Sequence, residues 1–275
     1  FHVIFGKTVP DVSLNAVANL GYAEGRWRAQ VYAGDTLRSS SEVIGLKENS
    51  SRTSGVVYVR TRGTNQRGEI VMDYVRWVMV RKRDAEAAAP ETVVPELKRA
   101  LTVADLAIPA GLTFAKYDFA QAGEPHRLGD YAVGEVIDHV DGVTIEEAEH
   151  MMATRLWQNT AKVHFDATFR EDGRRLIYGG HVISMARALS FNGLANAQMI
   201  VGLNGGAHAN PCFSGDTVRA WSEVLDTAET SAPNVGAIRL RLVATKGAAG
   251  ALKNAEGKYL PEVLLDLDYW ALMPI

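Results

Sequence analysis

The chain has 275 residues, of which 47% are hydrophobic and 22% charged, an ordinary composition for a globular protein that can bury a large core. Its net charge of −3 disfavours general nucleic-acid binding, because that function needs a basic face. The single cysteine, Cys212, excludes a disulfide within the chain, and neither a membrane-spanning apolar run nor a signal peptide is visible. We therefore expect a cytoplasmic protein with no nucleic-acid or membrane partner.

The first half of the chain predicts long strands. Residues 36–46, 56–62 and 69–81 are rich in β-branched and aromatic residues, and turn-forming residues separate them at 48–55 and 63–68. Three antiparallel strands joined by turns predict a curled meander. One helical segment is expected before this meander.

A proline-punctuated linker follows the first meander. It begins near residue 84 and carries three prolines before the next strand-like unit. We therefore divide the chain into a first unit at 1–88, a linker at 89–124 and a second unit at 125–275.

The second half repeats the plan of the first. Its strand-like segments are 217–226, 236–245 and 260–273, with a Gly/Ala-rich connection at 246–258. A helix is predicted after the pair Gly179 and Gly180. Apolar residues occupy nearly every side of this helix, which indicates that it is buried.

An internal repeat relates the two halves. Residues 34–44 and 215–225 are identical at seven of eleven positions, at a constant offset of 181 (215 − 34). His2 pairs with His181 at an offset of 179 (181 − 2), which places a two-residue insertion near Pro10, yet only Phe1 precedes His2. We therefore expect the first copy to be incomplete at its N-terminal end. Two buried helices, each wrapped by an antiparallel sheet, predict a double hot-dog fold of the α+β class.

A motif in the second copy resembles a known family. Residues 154–166, followed by 174–181, resemble the signature of MaoC-like, R-specific enoyl-CoA hydratases. In that family a short helix carries a Gly-Asp-x-Asn-Pro-aliphatic-His segment, and a later Gly/His turn opens the central helix. The resemblance places His164 on the motif histidine, Asn159 on the motif aspartate and Gly180 at the start of the central helix.

Further segments narrow this resemblance to the mesaconyl-CoA hydratases, or β-methylmalyl-CoA dehydratases, within that family. They are residues 5–16, 19–22, 57–60, 74–84 and 177–183, which lie in both copies. The resemblance implies reversible conversion of β-methylmalyl-CoA into mesaconyl-CoA plus water, with no metal or redox cofactor.

This chemistry suggests roles for the motif residues. Hydration of an unsaturated thioester needs a base for the water, and we assign that role to His164. The developing oxyanion needs N–H donors, which the helix start at Gly180 offers. Asn159 cannot carry a proton, so Gln158 or Asp166 is an alternative, and Asp166 is a candidate to orient His164. A further alternative places the catalytic pair in the segment expected before the first copy.

The substrate that this resemblance implies carries a second carboxylate, so its site needs a cation. Lys162 is our candidate, because it replaces a proline inside the motif. Arg155, Arg174 and Arg175 are alternatives nearby in the sequence.

The residues expected to bind CoA lie in the first copy. Two guanidinium groups flank an aromatic ring in Arg26, Trp27 and Arg28, a combination that suits phosphates and adenine. By resemblance, the first copy holds CoA and the second does the chemistry. On that view the site is also lined by Asn15, Ala16, Val17 and Ala18.

Several functions remain open on the sequence alone. The leading hypothesis is a mesaconyl-CoA hydratase, a hydro-lyase. The alternatives are an R-specific enoyl-CoA hydratase of broader acyl range, a non-catalytic acyl-CoA-binding double hot-dog protein and a hot-dog thioesterase. We expect a homodimer, because sheet edges in this fold often pair between subunits.

Overall fold

The computed structural model describes residues 1–14, 16–247 and 250–275. These residues form one nine-stranded antiparallel sheet in the order β2-β3-β4-β1-β6-β9-β8-β7-β5. The strands are β1 Ala16–Trp27, β2 Arg38–Glu48, β3 Ser54–Thr64, β4 Ile70–Arg81, β5 Val136–Thr144, β6 Met199–His208, β7 Thr217–Glu229, β8 Val235–Thr245 and β9 Val263–Pro274. The helices are α1 His2–Gly6, α2 Phe119–Ala122, α3 Glu147–Leu156, α4 Lys162–Phe165, α5 Gly179–Leu189 and α6 Phe191–Leu194.

The two copies build the two halves of this sheet. In the first, β2, β3 and β4 form the predicted meander, and β1 pairs with β4. In the second, β7, β8 and β9 repeat it, β6 pairs with β9, and β5 extends the sheet beyond β7. The double hot-dog prediction and the six meander strands are therefore confirmed. The two predicted sheets are joined into one, because β1 pairs with β6.

The halves meet around a local two-fold axis. Strands β1 and β6 pair antiparallel, with Tyr22 opposite Gly206 and Gly25 opposite Leu203. The repeat offset of 181 relates Tyr22 to Leu203 and Gly25 to Gly206, so each pair maps onto the other. The tandem repeat is therefore a structural dyad within one chain.

A helix precedes the meander in each half. Helix α5 begins at Gly179 and packs against β5, β7, β8 and β9. Its counterpart is shorter: α1 is followed by a single π-helical stretch, Val9–Ser13. The predicted helix of the second copy is confirmed, although its last turn is partly exposed.

The segment between the copies packs against the sheet. Leu101 and Leu106 join a buried cluster with Trp270 and Leu272 of β9. The indole Nε1 of Trp270 donates a hydrogen bond of 3.0 Å to the carbonyl oxygen of Leu101. Within the predicted linker, this part is therefore an ordered cover on the outer face of the sheet rather than a free tether.

Three strands escape the sequence prediction, namely β1, β5 and β6. Residues 248 and 249 of the predicted connection at 246–258 lie outside the described ranges. Among the described residues, no helix combines the length and apolarity needed to cross a membrane.

Candidate active site

A cavity of about 280 Å³ lies between the two halves, and we call it the His164 cavity. The first half contributes α1, the π-helix, β1 and β4. The second contributes α4 and the loop before it, the start of α5 and the end of β6. Its polar lining residues are Ser13, Asn19, Tyr22, Arg76, Asn159, His164, Tyr178, His208, Asn210 and Cys212.

His164 is partly buried on α4 at this cavity. Its Nδ1 lies 2.7 Å from the carbonyl oxygen of Leu176. A carbonyl oxygen only accepts, so Nδ1 carries the proton and Nε2 keeps its lone pair. Burial lowers the pKa of His164 to about 4, so the ring is neutral at physiological pH. His164 is therefore arranged as a proton acceptor.

Asn159 lies in the loop between α3 and α4 and is almost fully buried. Its Oδ1 accepts a hydrogen bond of 3.3 Å from the backbone N–H of Ala161. The amide nitrogen Nδ2 is the donor of this side chain, so it is the group that can donate to a water or substrate oxygen.

The N-terminus of α5 supplies backbone donors. Gly179 and Gly180 occupy its first turn, where N–H groups have no partner within the helix. A Cβ on Gly179 would lie 2.4 Å from the His208 ring, and one on Gly180 would lie 2.4 Å from the Tyr178 ring. Both positions therefore require glycine for close packing around the helix start. Gly179, rather than Gly180, lines the cavity.

His150 fixes the turn that leads into α5. Its Nε2 accepts a hydrogen bond of 2.9 Å from the backbone N–H of Tyr178. Burial, followed by the nearby His164, lowers the pKa of His150 to about 3, which keeps this nitrogen available as an acceptor. His150 therefore acts as a support for the helix start.

A second histidine, His208, lines the cavity from the end of β6. Its Nε2 lies 3.0 Å from the hydroxyl of Tyr22. Burial and, secondarily, the nearby His164 lower the pKa of His208 to about 4. The sequence prediction missed this residue, although the repeat offset gives the signal: His208 occupies the position of Trp27 in the first copy.

Arg76 on β4 is the most unusual residue of the lining, because its side chain is completely buried. One of its terminal nitrogens donates a hydrogen bond of 2.7 Å to Thr8 Oγ1. The other terminal nitrogen and Nε have no partner among the described residues, and no carboxylate there lies within 4 Å. Its guanidinium lies 4.2 Å from the centre of the Phe5 ring.

Two predicted residues have other surroundings than expected. Asp166 is exposed and accepts hydrogen bonds from the backbone N–H (2.9 Å) and hydroxyl (2.7 Å) of Thr168. It therefore caps the short helix Ala167–Phe169 and does not orient His164, whose Nδ1 contacts Leu176. Lys162 is exposed and is not part of the cavity lining.

The predicted CoA-binding cluster at Arg26 is engaged in internal ion pairs. Arg26 lies 3.6 Å from Asp73 and 3.7 Å from Asp105, and Arg28 lies 2.7 Å from Asp73. Both guanidinium groups already lie against carboxylates, and Trp27 lines a different cavity. The phosphate-binding interpretation of this cluster therefore finds no support in the geometry.

The start of β1 reaches the His164 cavity. Ala16, Val17 and Ala18 line the His164 cavity. Asn15, which was predicted with them, lies outside the described residues.

A second cavity, of about 260 Å³, is related to the first by the local two-fold axis, and we call it the Trp27 cavity. Trp27 and Leu203 occupy it where His208 and Tyr22 occupy the first, at the repeat offset of 181. Its remaining lining residues are Phe1, His2, Ile183, Ser184, Arg187, Ile200, Leu267 and Tyr269.

Arg76 in the His164 cavity and Tyr269 in the Trp27 cavity occupy equivalent positions, as the strand register shows. Arg76 pairs with Val59 in the first half, and Tyr269 pairs with Leu240 in the second. Val59 and Leu240 are 181 residues apart, so Tyr269 takes the place of Arg76 in the Trp27 cavity.

Comparison with known proteins identifies similar sequences. A family model described as mesaconyl-CoA hydratase matches residues 1–250. A protein named mesaconyl-CoA hydratase from Cereibacter sphaeroides is 74% identical over 276 residues, covering the whole of this chain and 80% of the relative. A β-methylmalyl-CoA dehydratase from Chloroflexus aurantiacus is 57% identical over 283 residues, again covering this chain fully and 80% of the relative.

Solved structures agree with the fold. A crystal structure of a MaoC domain protein dehydratase from Chloroflexus aurantiacus has a TM-score of 0.96 and 56% identity, covering 100% of this chain and 80% of its own. A double hot-dog protein from Mycobacterium tuberculosis has a TM-score of 0.69 and 25% identity, covering 98% of this chain and 79% of its own.

Proposed function

This chain belongs to the mesaconyl-CoA hydratase family, and on that premise we propose that it is a hydro-lyase that interconverts mesaconyl-CoA plus water with β-methylmalyl-CoA at the His164 cavity. One observation carries the proposal: a neutral histidine and a helix N-terminus that begins with two glycines lie at the same cavity. A base and an oxyanion site are the two elements that thioester hydration requires.

His164 activates the water. Its Nε2 lone pair accepts a proton as the water oxygen bonds to the β-carbon of the enoyl thioester. Asn159 Nδ2 donates to the same water and holds it in place. The hydrogen bond from Nδ1 to Leu176 fixes the tautomer that leaves Nε2 free.

The start of α5 stabilises the enolate. As water adds, negative charge develops on the thioester oxygen, and the N–H groups of Gly179 and Gly180 donate to it. The positive end of the helix dipole favours the same charge. The protonated His164 then returns its proton to the α-carbon, so water is added as a hydroxyl group and a proton with no other reactant.

The two copies divide the work in this proposal. The motif residues and α5 come from the second copy, whereas the first closes the cavity with α1, β1 and β4. The pantetheine arm of CoA enters beside Ala16, Val17 and Ala18, which reach the solvent at the start of β1.

We also propose that the protein is a homodimer. The sheet ends in β2, whose Leu46 pairs with Val93, and in β5. The outermost strands of a sheet leave backbone groups unpaired on one side. Light scattering on a size-exclusion column measures the mass directly. A mass of one chain would remove this part of the proposal.

An absorbance assay tests the reaction. With mesaconyl-CoA as substrate, we expect loss of enoyl-thioester absorbance without release of free thiol. Thiol release would instead show a thioesterase, and constant absorbance at high enzyme concentration would contradict hydration. Crotonyl-CoA, a monocarboxylic substrate, measures the acyl range: faster turnover of crotonyl-CoA would favour the broader enoyl-CoA hydratase.

A further inference from the structure

The charge of Arg76 has no counter-ion among the described residues, although the side chain is completely buried. An arginine keeps its proton at any physiological pH, so it cannot escape this cost by becoming neutral. Burying a charge without a partner strongly destabilises a folded protein. A ligand anion is the simplest group that would offset this cost.

The neighbours of Arg76 do not supply the missing charge. Tyr22, Tyr74 and Tyr178 surround it, and burial raises the pKa of each hydroxyl above its ordinary value. The three tyrosines are therefore neutral at physiological pH. Thr8 is also neutral and occupies only one terminal nitrogen.

The free groups of Arg76 belong to the same cavity as the proposed base. Arg76 and Tyr178 both line the cavity, and the buried hydroxyl of Tyr178 has no hydrogen-bond partner among the described residues. The Phe5 ring contacts the Arg76 guanidinium at 4.2 Å and lies 5.7 Å from the Tyr178 ring. The Tyr178 ring in turn lies 5.7 Å from His164.

We propose that Arg76, assisted by the hydroxyl of Tyr178, binds the second carboxylate of the acyl group and so selects dicarboxylic acyl-CoA substrates. This inference rests on the proposed function and deepens it. In β-methylmalyl-CoA the carboxylate is attached to the carbon that carries the hydroxyl group. The cation must therefore lie in the same cavity as the activated water, which Arg76 satisfies and the exposed Lys162 does not.

The test compares two ligands that differ only in this carboxylate. Mesaconyl-CoA is compared with 2-methylcrotonyl-CoA, in which a methyl group replaces the carboxylate. Dissociation constants are measured by calorimetry in a His164→Ala background, so that turnover does not interfere. We expect Arg76→Leu to reduce the preference for mesaconyl-CoA by about 100-fold, because a carboxylate would be buried without its partner.

Two further variants separate binding from folding. Arg76→Lys keeps the charge but loses the planar pair of donors, so we expect an intermediate preference. Arg239→Leu is the matched control, because this strand arginine is already paired with Asp268 at 2.6 Å outside the cavity lining. The control should keep the full preference for the dicarboxylate.

The outcomes distinguish this inference from the proposed reaction. An unchanged preference in folded Arg76→Leu and Arg76→Lys variants would overturn the carboxylate subsite. If the unmodified protein fails to hydrate mesaconyl-CoA but its preference collapses in Arg76→Leu, the reaction is wrong and the subsite stands.

Discussion

The two cavities share one scaffold and differ in their side chains. The local two-fold axis relates His208 to Trp27, Tyr22 to Leu203 and Arg76 to Tyr269. Each exchange replaces a polar or charged group of the His164 cavity with a larger or less polar one. The difference indicates that the fold supplies two equivalent spaces and that a few substitutions make one of them suitable for acid–base chemistry.

The arginines of the two cavities sharpen this contrast. Arg187 in the Trp27 cavity is bound to the Ser190 hydroxyl at 2.8 Å and to the carbonyl oxygen of Ala197. Two nitrogens of Arg76 in the His164 cavity have no hydrogen-bond partner within the part of the chain that the structure describes. One arginine therefore completes the protein structure, whereas the other has capacity for a ligand.

Removing the proposed base should lower kcat/KM more than any other change to either cavity. We expect His164→Ala to lower kcat/KM by about 100-fold to 10,000-fold, the range for loss of general-base catalysis. His2→Gln removes the histidine of the Trp27 cavity and should change kcat/KM by less than about threefold, since only His164 acts on water. Steady-state kinetics with mesaconyl-CoA measures both, and equal losses would contradict the assignment of chemistry to one cavity.

Filling each cavity in turn gives the next effect. Val182 and Ile183 are neighbours on α5, yet Val182 lines the His164 cavity and Ile183 the Trp27 cavity. We expect Val182→Phe to lower kcat/KM by about 100-fold, whereas Ile183→Phe keeps most activity. Each adds a ring to a packed site at a cost of about 1–3 kcal/mol in unfolding free energy, so the pair is matched in stability. Greater loss of activity in Ile183→Phe than in Val182→Phe would assign the reaction to the Trp27 cavity instead.

The hydroxyl of Tyr22 should have a smaller effect. Tyr22→Phe removes its 3.0 Å contact with His208, and a hydrogen bond of about 1 kcal/mol corresponds to roughly a fivefold change in kcat/KM. Tyr131→Phe is the control, since its hydroxyl donates 2.7 Å to the Gly193 carbonyl outside the cavity lining. Activity that falls equally in both variants would indicate a general loss of packing.

The smallest expected effect is that of pH on kcat/KM near neutrality. The His164 pKa of about 4 lies below its ordinary value of 6.5, so the base stays unprotonated as pH falls through 6.5. We expect kcat/KM at pH 5.5 to stay within about twofold of its value at pH 7.5. An acid limb centred at 6.5 would contradict a buried base.

The same shift makes the fold less stable in acid. Because the unfolded chain binds a proton that the folded His164 excludes, unfolding free energy should fall as pH drops from 6.5 towards 4. Circular dichroism at each pH distinguishes lost structure from lost chemistry.

Some strands were predictable from sequence and others were not. The meander strands carry β-branched alternation that is visible directly, as in β3 and β8. Strands β1 and β6 contain several glycines, which indicate loops when only the sequence is considered. Tertiary packing requires these glycines. A Cβ on Gly21 would lie 2.3 Å from the Trp77 ring, and one on Gly206 would lie 2.8 Å from Leu267.

The candidate site was predictable only where a motif marks it. His164 and Asn159 follow from the motif resemblance and reach the cavity, although their roles remain predictions. Arg76 was missed because an arginine in a strand is usually solvated. Its position in the strand is the informative feature, because residues 71–76 of β4 are all buried. Lys162 was favoured on sequence proximity alone, which does not report burial.

A crystal structure of the His164→Ala variant with mesaconyl-CoA tests the central claim most directly. We predict the acyl group in the His164 cavity, with its thioester oxygen at the N-terminus of α5 and its free carboxylate against Arg76. An acyl group in the Trp27 cavity, beside Tyr269, would contradict the assignment of the two cavities.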